Sequence, residues 1–232
     1  MSTARSTWLP TTRHALVATV LIALLICLAL ILRLQGLGNT FQSGDNAGLP
    51  AKIVANRGIG WMVFERYGLL NSLITWTFVR VVRLLGVPIT EFWWKAPIAL
   101  IGTLQVPLTF FFLRWLGCKG IGAWFGAALV AVLPIHVMQS RYAWGYEMLG
   151  TFFFTVAIWS FLWYLRQSNR KRGLVTSFCL GLYLISHGYI IPFLPCLAAG
   201  ILLFAAPKPK TTVLSAIRTN VLRLIANYVW LF

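Results

Sequence analysis

The run from Ala15 to Leu32 is 18 residues long, and Thr19 is its only polar side chain. As a helix it is long enough to cross the hydrocarbon core of a bilayer, and water offers such a run no comparable shelter. Uncharged runs of similar length return at 96–113, 120–138 and 148–165, and residues 174–206 contain no Lys, Arg, Asp or Glu. As one helix, that last run of 33 residues would extend roughly 50 Å, too long for a single straight span. His187-Gly188 and Pro192/Pro195 interrupt it, so it reads as a hairpin of two short helices. Another apolar run opens at Ile225 and reaches Phe232, as in a helix cut short, which makes the chain look like the N-terminal part of a longer protein. The expected fold is an all-α polytopic membrane protein forming one transmembrane domain over residues 1–232. It would hold about six complete spans and a truncated one. Hydrophobic residues make up 59% of the chain and charged residues 10%, which excludes a soluble enzyme, a disordered tail and a disulfide scaffold.

Charge sets the orientation. Twenty Lys and Arg face only four acids, for a net +16, but the bases fall between the apolar runs. Topology and inner-leaflet lipid account for that placement, and nucleic acid is not implied. Arg5 and Arg13 precede the first run and no small-residue cleavage site follows, so it reads as a signal anchor with a cytoplasmic N-terminus. Residues 67–87 are ambiguous. Leu70, Ile74, Phe78, Val81 and Leu85 share one helical face while Arg80 and Arg83 occupy another, which suits an amphipathic helix lying at the interface. On that reading twelve of the twenty bases are cytoplasmic. A crossing helix with the same N-terminus leaves six inside, against the positive-inside rule; a crossing helix with an external N-terminus recovers fourteen. The interfacial reading makes 33–95 a first external loop with interfacial helices and 139–147 a second. Asp45, Glu65, Glu91 and Glu147 then face one compartment. The external N-terminus would instead put Asp45 and Glu147 on opposite sides.

Few residues remain that could carry chemistry. Asp45 lies in Gln42-Ser43-Gly44-Asp45-Asn46-Ala47-Gly48, where it suits either a helix cap or a base for a hydroxyl acceptor. The second loop sets Arg141 and Glu147 among Tyr142, Trp144 and Tyr146. That pattern fits an aromatic interfacial belt with a snorkelling arginine, or a phosphate-binding fork with a floor for a sugar ring. His187 and Tyr189 stand at the tip of the expected hairpin on the same side. The four cysteines are scattered without metal-ligand spacing and read as packing residues.

Taken in order, these features resemble the GT-C (C-type-fold) membrane glycosyltransferases. They are similar in particular to the protein-mannosyltransferase and aminoarabinose-transferase branch. The resemblance runs over about residues 15–206, through Lys95-Ala96-Pro97, Leu113-Arg114-Trp115-Leu116-Gly117, Ala127–Pro134 and Ser140-Arg141 followed by Glu147. It implies that the first-loop catalytic aspartate falls on Asp45 and the second-loop Ser-Arg-plus-acid pattern on Ser140, Arg141 and Glu147. Asp45-Asn46 stands where an acidic pair is common, Glu147 where Asp is commoner, and Arg66-Tyr67-Gly68-Leu69 where a His-Pro-Pro-Leu-like entry is usual.

The expected function is transfer of a sugar from a polyprenyl-phosphate donor to an acceptor on the non-cytoplasmic side. The donor and the lipid bilayer are then its partners. Asp45, Glu147 and Arg141 are the expected catalytic residues, with Lys95, Arg80, Arg83, His187 and Tyr189 binding substrate. A divalent metal ion, if the enzyme uses one, would fall to Asp45 and Glu147. The location would be a multi-pass integral one, which for a bacterial source means the plasma (inner) membrane. The alternative is a non-catalytic membrane protein, such as a lipid-carrier translocase or assembly subunit, or an inactive fragment. A transporter would be expected to show internal repeats, and the chain has only one Pro/Gly-interrupted segment.

Overall fold

The computed structural model describes residues 12–39, 69–118, 120–142, 146–167 and 169–187. Asp45, Tyr189, residues 40–68, the second limb of the expected hairpin and the terminal run lie outside them. The described residues form helices and their connections, with no strand among them. In chain order these are α1 (Thr12–Leu34), a 3₁₀ turn (Leu37–Asn39), α2 (Leu69–Leu84) and α3 (Glu91–Trp115). They continue with α4 (Ile121–Val132), α5 (Pro134–Ser140), α6 (Tyr146–Arg166) and α7 (Arg170–His187).

Three helices are long and apolar enough to cross a membrane, over Leu16–Leu34, Glu91–Trp115 and Glu147–Arg166. A fourth span results if α4 and α5 count as one broken by a 53° bend. The described residues therefore hold three or four spans, against the six expected for the whole chain. The run 120–138 was expected as one helix, and Pro134 is why it is two. Proline supplies no N–H for the carbonyl four residues back and drives its predecessor out of helical geometry, and Leu133 sits at φ −58°, ψ 122°.

Helix α3 is the hub, packing against α1, α2, α4, α5 and α6. Ala123, Ala127 and Ala131 recur every four residues on α4 and are fully buried, packed with Ala29, Val106 and Phe110. Side chains this small let helices approach closely where lipid supplies no hydrophobic drive. A second core joins α6 to α7 through Ile158, Phe161, Tyr164, Cys179 and Tyr183. Hydrogen bonds tie the spans at depth: Gln105 Nε2 donates to Thr155 Oγ1 at 2.9 Å, and Thr176 Oγ1 to the Ser160 carbonyl at 2.9 Å. Only 11% of the α1 span is buried, against 50% and 56% for the α3 and α6 spans, and Leu16, Leu21, Leu24 and Leu28 of α1 are exposed.

Helix α2 divides its apolar face between protein and the outside: Leu70 is buried and Ile74 packs against the Ile98 core, while the later positions of that face turn outward. Asn71, Ser72 and Thr75 are buried beside Leu70, Val79 and Val82, while Val81 and Leu85 are 50% and 73% exposed. In a bilayer the outward position suits apolar side chains, so apolar periodicity there can mark the lipid side.

Candidate functional site

Helices α1, α3, α5 and α6 bring a set of charged groups to one end of the bundle, because α1 and α5 finish where α3 and α6 begin. Two arginines make crossed contacts there. Arg33, in the last turn of α1, is fully buried. Its Nη2 donates to the Val130 carbonyl at 2.9 Å, and its Nη1 to the carbonyls of Ala131 at 3.0 Å and Ala29 at 3.3 Å. The Val130 carbonyl is the one that Pro134, lacking an N–H, leaves unpaired. Arg141, just past α5, returns the contact. Its Nη1 and Nη2 donate to the carbonyls of Leu32 and Gln35, each at 2.9 Å. Those carbonyls are exposed by the end of α1, where Gly36 takes φ +62°. Arg141 thus caps the end of α1, which carries Arg33, and Arg33 caps the end of α4, the first half of the bent pair that Arg141 follows.

Gly102 of α3 makes this crossing possible. A β-carbon built there would lie 2.5 Å from Ser140 Cβ, 3.1 Å from Arg33 Nε and 3.2 Å from Ser140 Oγ. Only a hydrogen fits between these elements.

Lys95 belongs to the same corner. It is fully buried one turn into α3, where Nζ donates to Glu91 Oε1 at 2.5 Å and to the Leu37 carbonyl at 3.4 Å. An ammonium is held in such a place only when its charge is met, and Glu91 lies four residues earlier on the same helix face. Lys95 and Arg141 therefore grip the same short turn, through Leu37 and Gln35 respectively. Arg141 commits two donors to carbonyls, and a guanidinium has five. Glu147 opens α6 and is exposed, while the adjacent Met148 and Leu149 are buried against Ile98 of α3.

The expected site residues separate accordingly. Lys95 and Arg141 share a corner, and Glu147 opens a helix at the same end. Arg80 and Arg83 sit apart on α2. Arg80 lies over the Trp76 ring at 5.1 Å and is half-buried; Arg83 is exposed. His187 is the last residue of α7. Sequence reasoning did not single out Arg33 or pair Glu91 with Lys95. The second had a signal, the i,i+4 spacing of opposite charges in Glu91-Phe92-Trp93-Trp94-Lys95. Among the described residues no three His, Cys, Asp or Glu side chains gather as a metal site.

A bundle of apolar spans with buried, carbonyl-bound cations at one end defines an integral membrane protein with a polar corner at the bilayer boundary. A family profile described as dolichyl-phosphate-mannose-protein mannosyltransferase matches residues 88–206, just over half of the chain. The chain belongs to that family. The matched region holds Glu91, Lys95, Arg141, Glu147 and His187; Arg33, Asp45, Arg80 and Arg83 precede it. Neither the curated proteins nor the solved structures contain a match.

Proposed function

We propose that the protein is a glycosyltransferase that takes a sugar from a polyprenyl-phosphate carrier and delivers it to a hydroxyl acceptor on the non-cytoplasmic side. Membership of the mannosyltransferase family supports the donor class. The observation that carries the site is the pair of cations, Lys95 and Arg141, anchored to one backbone turn at the end of the spans. A lipid-linked phosphate arrives at that depth, and fixed cationic donors there stabilise it as it leaves.

In the reaction, the acceptor oxygen attacks the anomeric carbon as the bond from that carbon to the phosphate oxygen breaks. The bonding electrons leave with the phosphate, which stays on its lipid carrier, and in-line displacement inverts the anomeric centre. The acceptor proton passes to a carboxylate. Asp45 is the base in this reading, six residues along the chain from the turn that ends at Asn39. Arg141 meets the phosphate with its uncommitted donors. Lys95, its charge met by Glu91, fixes the turn that positions Arg141. Glu147 orients the acceptor from the start of α6. Arg80 and Arg83 meet the lipid-phosphate from α2, and His187 and Tyr189 line the acceptor side.

The deciding experiment measures membrane insertion and sugar transfer together, with a polyprenyl-phosphate mannose donor. Asp45→Asn is nearly isosteric and still able to cap a helix. It should insert normally and lose transfer by about 10²-fold or more, the scale of a lost general base. Transfer at the parental rate would remove Asp45 from the mechanism.

A further inference from the structure

At the opposite end of the bundle α6 finishes and α7 begins, and an open pocket of about 400 Å³ lies at that junction. Trp163, Asn169, Arg170, Lys171 and Arg172 line it. Its volume falls within the range of small-ligand sites, roughly 300–1,000 Å³. Two neighbouring cations are already engaged. Arg166 stacks on Trp115 at 3.8 Å and donates to its carbonyl at 3.2 Å. Arg172 lies over Trp163 at 4.5 Å, with Nη1 donating to the Trp163 carbonyl at 3.1 Å and Nη2 to Gln167 Oε1 at 2.7 Å.

Arg170 and Lys171 are different. Both are exposed, both line the cavity, and no hydrogen bond or ion pair holds either side chain among the described residues. The acids of the described residues, Glu91 and Glu147, open α3 and α6 at the other end. Positive charge therefore accumulates in an open pocket at the end of a span with no described carboxylate to balance it. Trp163 supplies one wall and the Arg172 guanidinium, fixed by its contacts, supplies another.

We propose that this pocket binds a phosphate group, supplied at a bilayer surface by the headgroup of an anionic phospholipid. Arg170 and Lys171 contact the phosphate oxygens, Asn169 offers a neutral donor, and Trp163 covers the headgroup from the side. The site is separate from the transfer reaction and does not depend on it. Clustered basic side chains at a membrane boundary suit anionic headgroups because charge-assisted hydrogen bonds to phosphate add to the attraction of the anionic surface.

The test uses the full chain in phosphatidylcholine nanodiscs with graded phosphatidylglycerol, read by thermal unfolding and by lipid retained in native mass spectrometry. The parent should show a saturable rise in unfolding midpoint and retained phosphatidylglycerol. Arg170→Gln with Lys171→Gln should weaken that dependence by about tenfold or more, with an unchanged midpoint in pure phosphatidylcholine. Arg170→Lys with Lys171→Arg keeps the charge and should keep the response, which guards against a folding defect in the first pair. Inorganic phosphate titrated into pure phosphatidylcholine discs distinguishes the source. A saturable response to it without a response to phosphatidylglycerol would overturn the lipid assignment. An equal phosphatidylglycerol dependence in the parent and the Gln pair would overturn the pocket itself.

Discussion

Gly102→Ala tests the crossed contact at the candidate site with one carbon atom. The new Cβ would stand 2.5 Å from Ser140 Cβ, where two such carbons prefer about 3.5–4.0 Å. The shortfall is at least about 1 Å, and a β-carbon cannot rotate out of the way as a side-chain tip can. Helices α3 and α5 must therefore separate, pulling on the backbone that Arg33 and Arg141 bind. Overpacking of this kind costs about 1–3 kcal/mol, and removing a helical glycine returns about 0.5–1 kcal/mol, so a net loss of about 1–2 kcal/mol is expected. Two other glycines calibrate the number. A methyl group added at Gly122 in α4 would meet nothing within 4 Å, so Gly122→Ala should be neutral or mildly stabilising. At Gly126 the nearest obstacle is the Leu113 Cδ1 methyl, which can turn aside, so Gly126→Ala should fall between the two. Unfolding midpoints in one detergent or nanodisc rank the three. Ser140→Gly added to Gly102→Ala should restore most of the loss, since the colliding atom is gone. If Gly102→Ala is as stable as Gly122→Ala, the proximity of α3 to α5 is wrong and the crossed caps fall with it.

Three further outcomes are expected. Arg33→Met leaves the Val130 and Ala131 carbonyls without their donor, at about 1–3 kcal/mol for each buried group, and should lower the unfolding midpoint more than Arg83→Met at an exposed position of α2. Glu91→Gln strands the buried Lys95 ammonium and should cost about 1–3 kcal/mol; this is below the range for a fully buried pair because the Glu91 side chain is 32% exposed. Adding Lys95→Met should recover part of that stability while transfer stays low, a combination that stability and transfer assays together can detect. Single cysteines at 147 and 169, at opposite ends of α6, should label with an impermeant thiol reagent from opposite sides of the membrane; labelling from the same side would contradict α6 as a span.

The sequence alone determined the apolar spans, because crossing a bilayer demands about 20 apolar residues in a row and nothing more distant in the chain. It placed α1, α3 and α6 through Ala15–Leu32, 96–113 and 148–165, and it contained in Pro134 the cause of the break between α4 and α5. Partners across the bundle were another matter. Arg33 meets Val130 and Ala131 nearly a hundred residues away, and Arg141 meets Leu32 and Gln35 at similar separation, so only helix crossing decides what those cations bind. The division of α2's apolar face has the same origin. Periodicity reveals that Leu70, Ile74, Phe78, Val81 and Leu85 share a face, but burial depends on which side meets protein and which meets lipid, and both environments accept apolar side chains. Tertiary packing made that choice: Leu70 is buried and Ile74 meets the Ile98 core, with Asn71, Ser72 and Thr75 buried beside them, while Val81 and Leu85 are exposed, because a face is buried only as far as a neighbouring helix reaches.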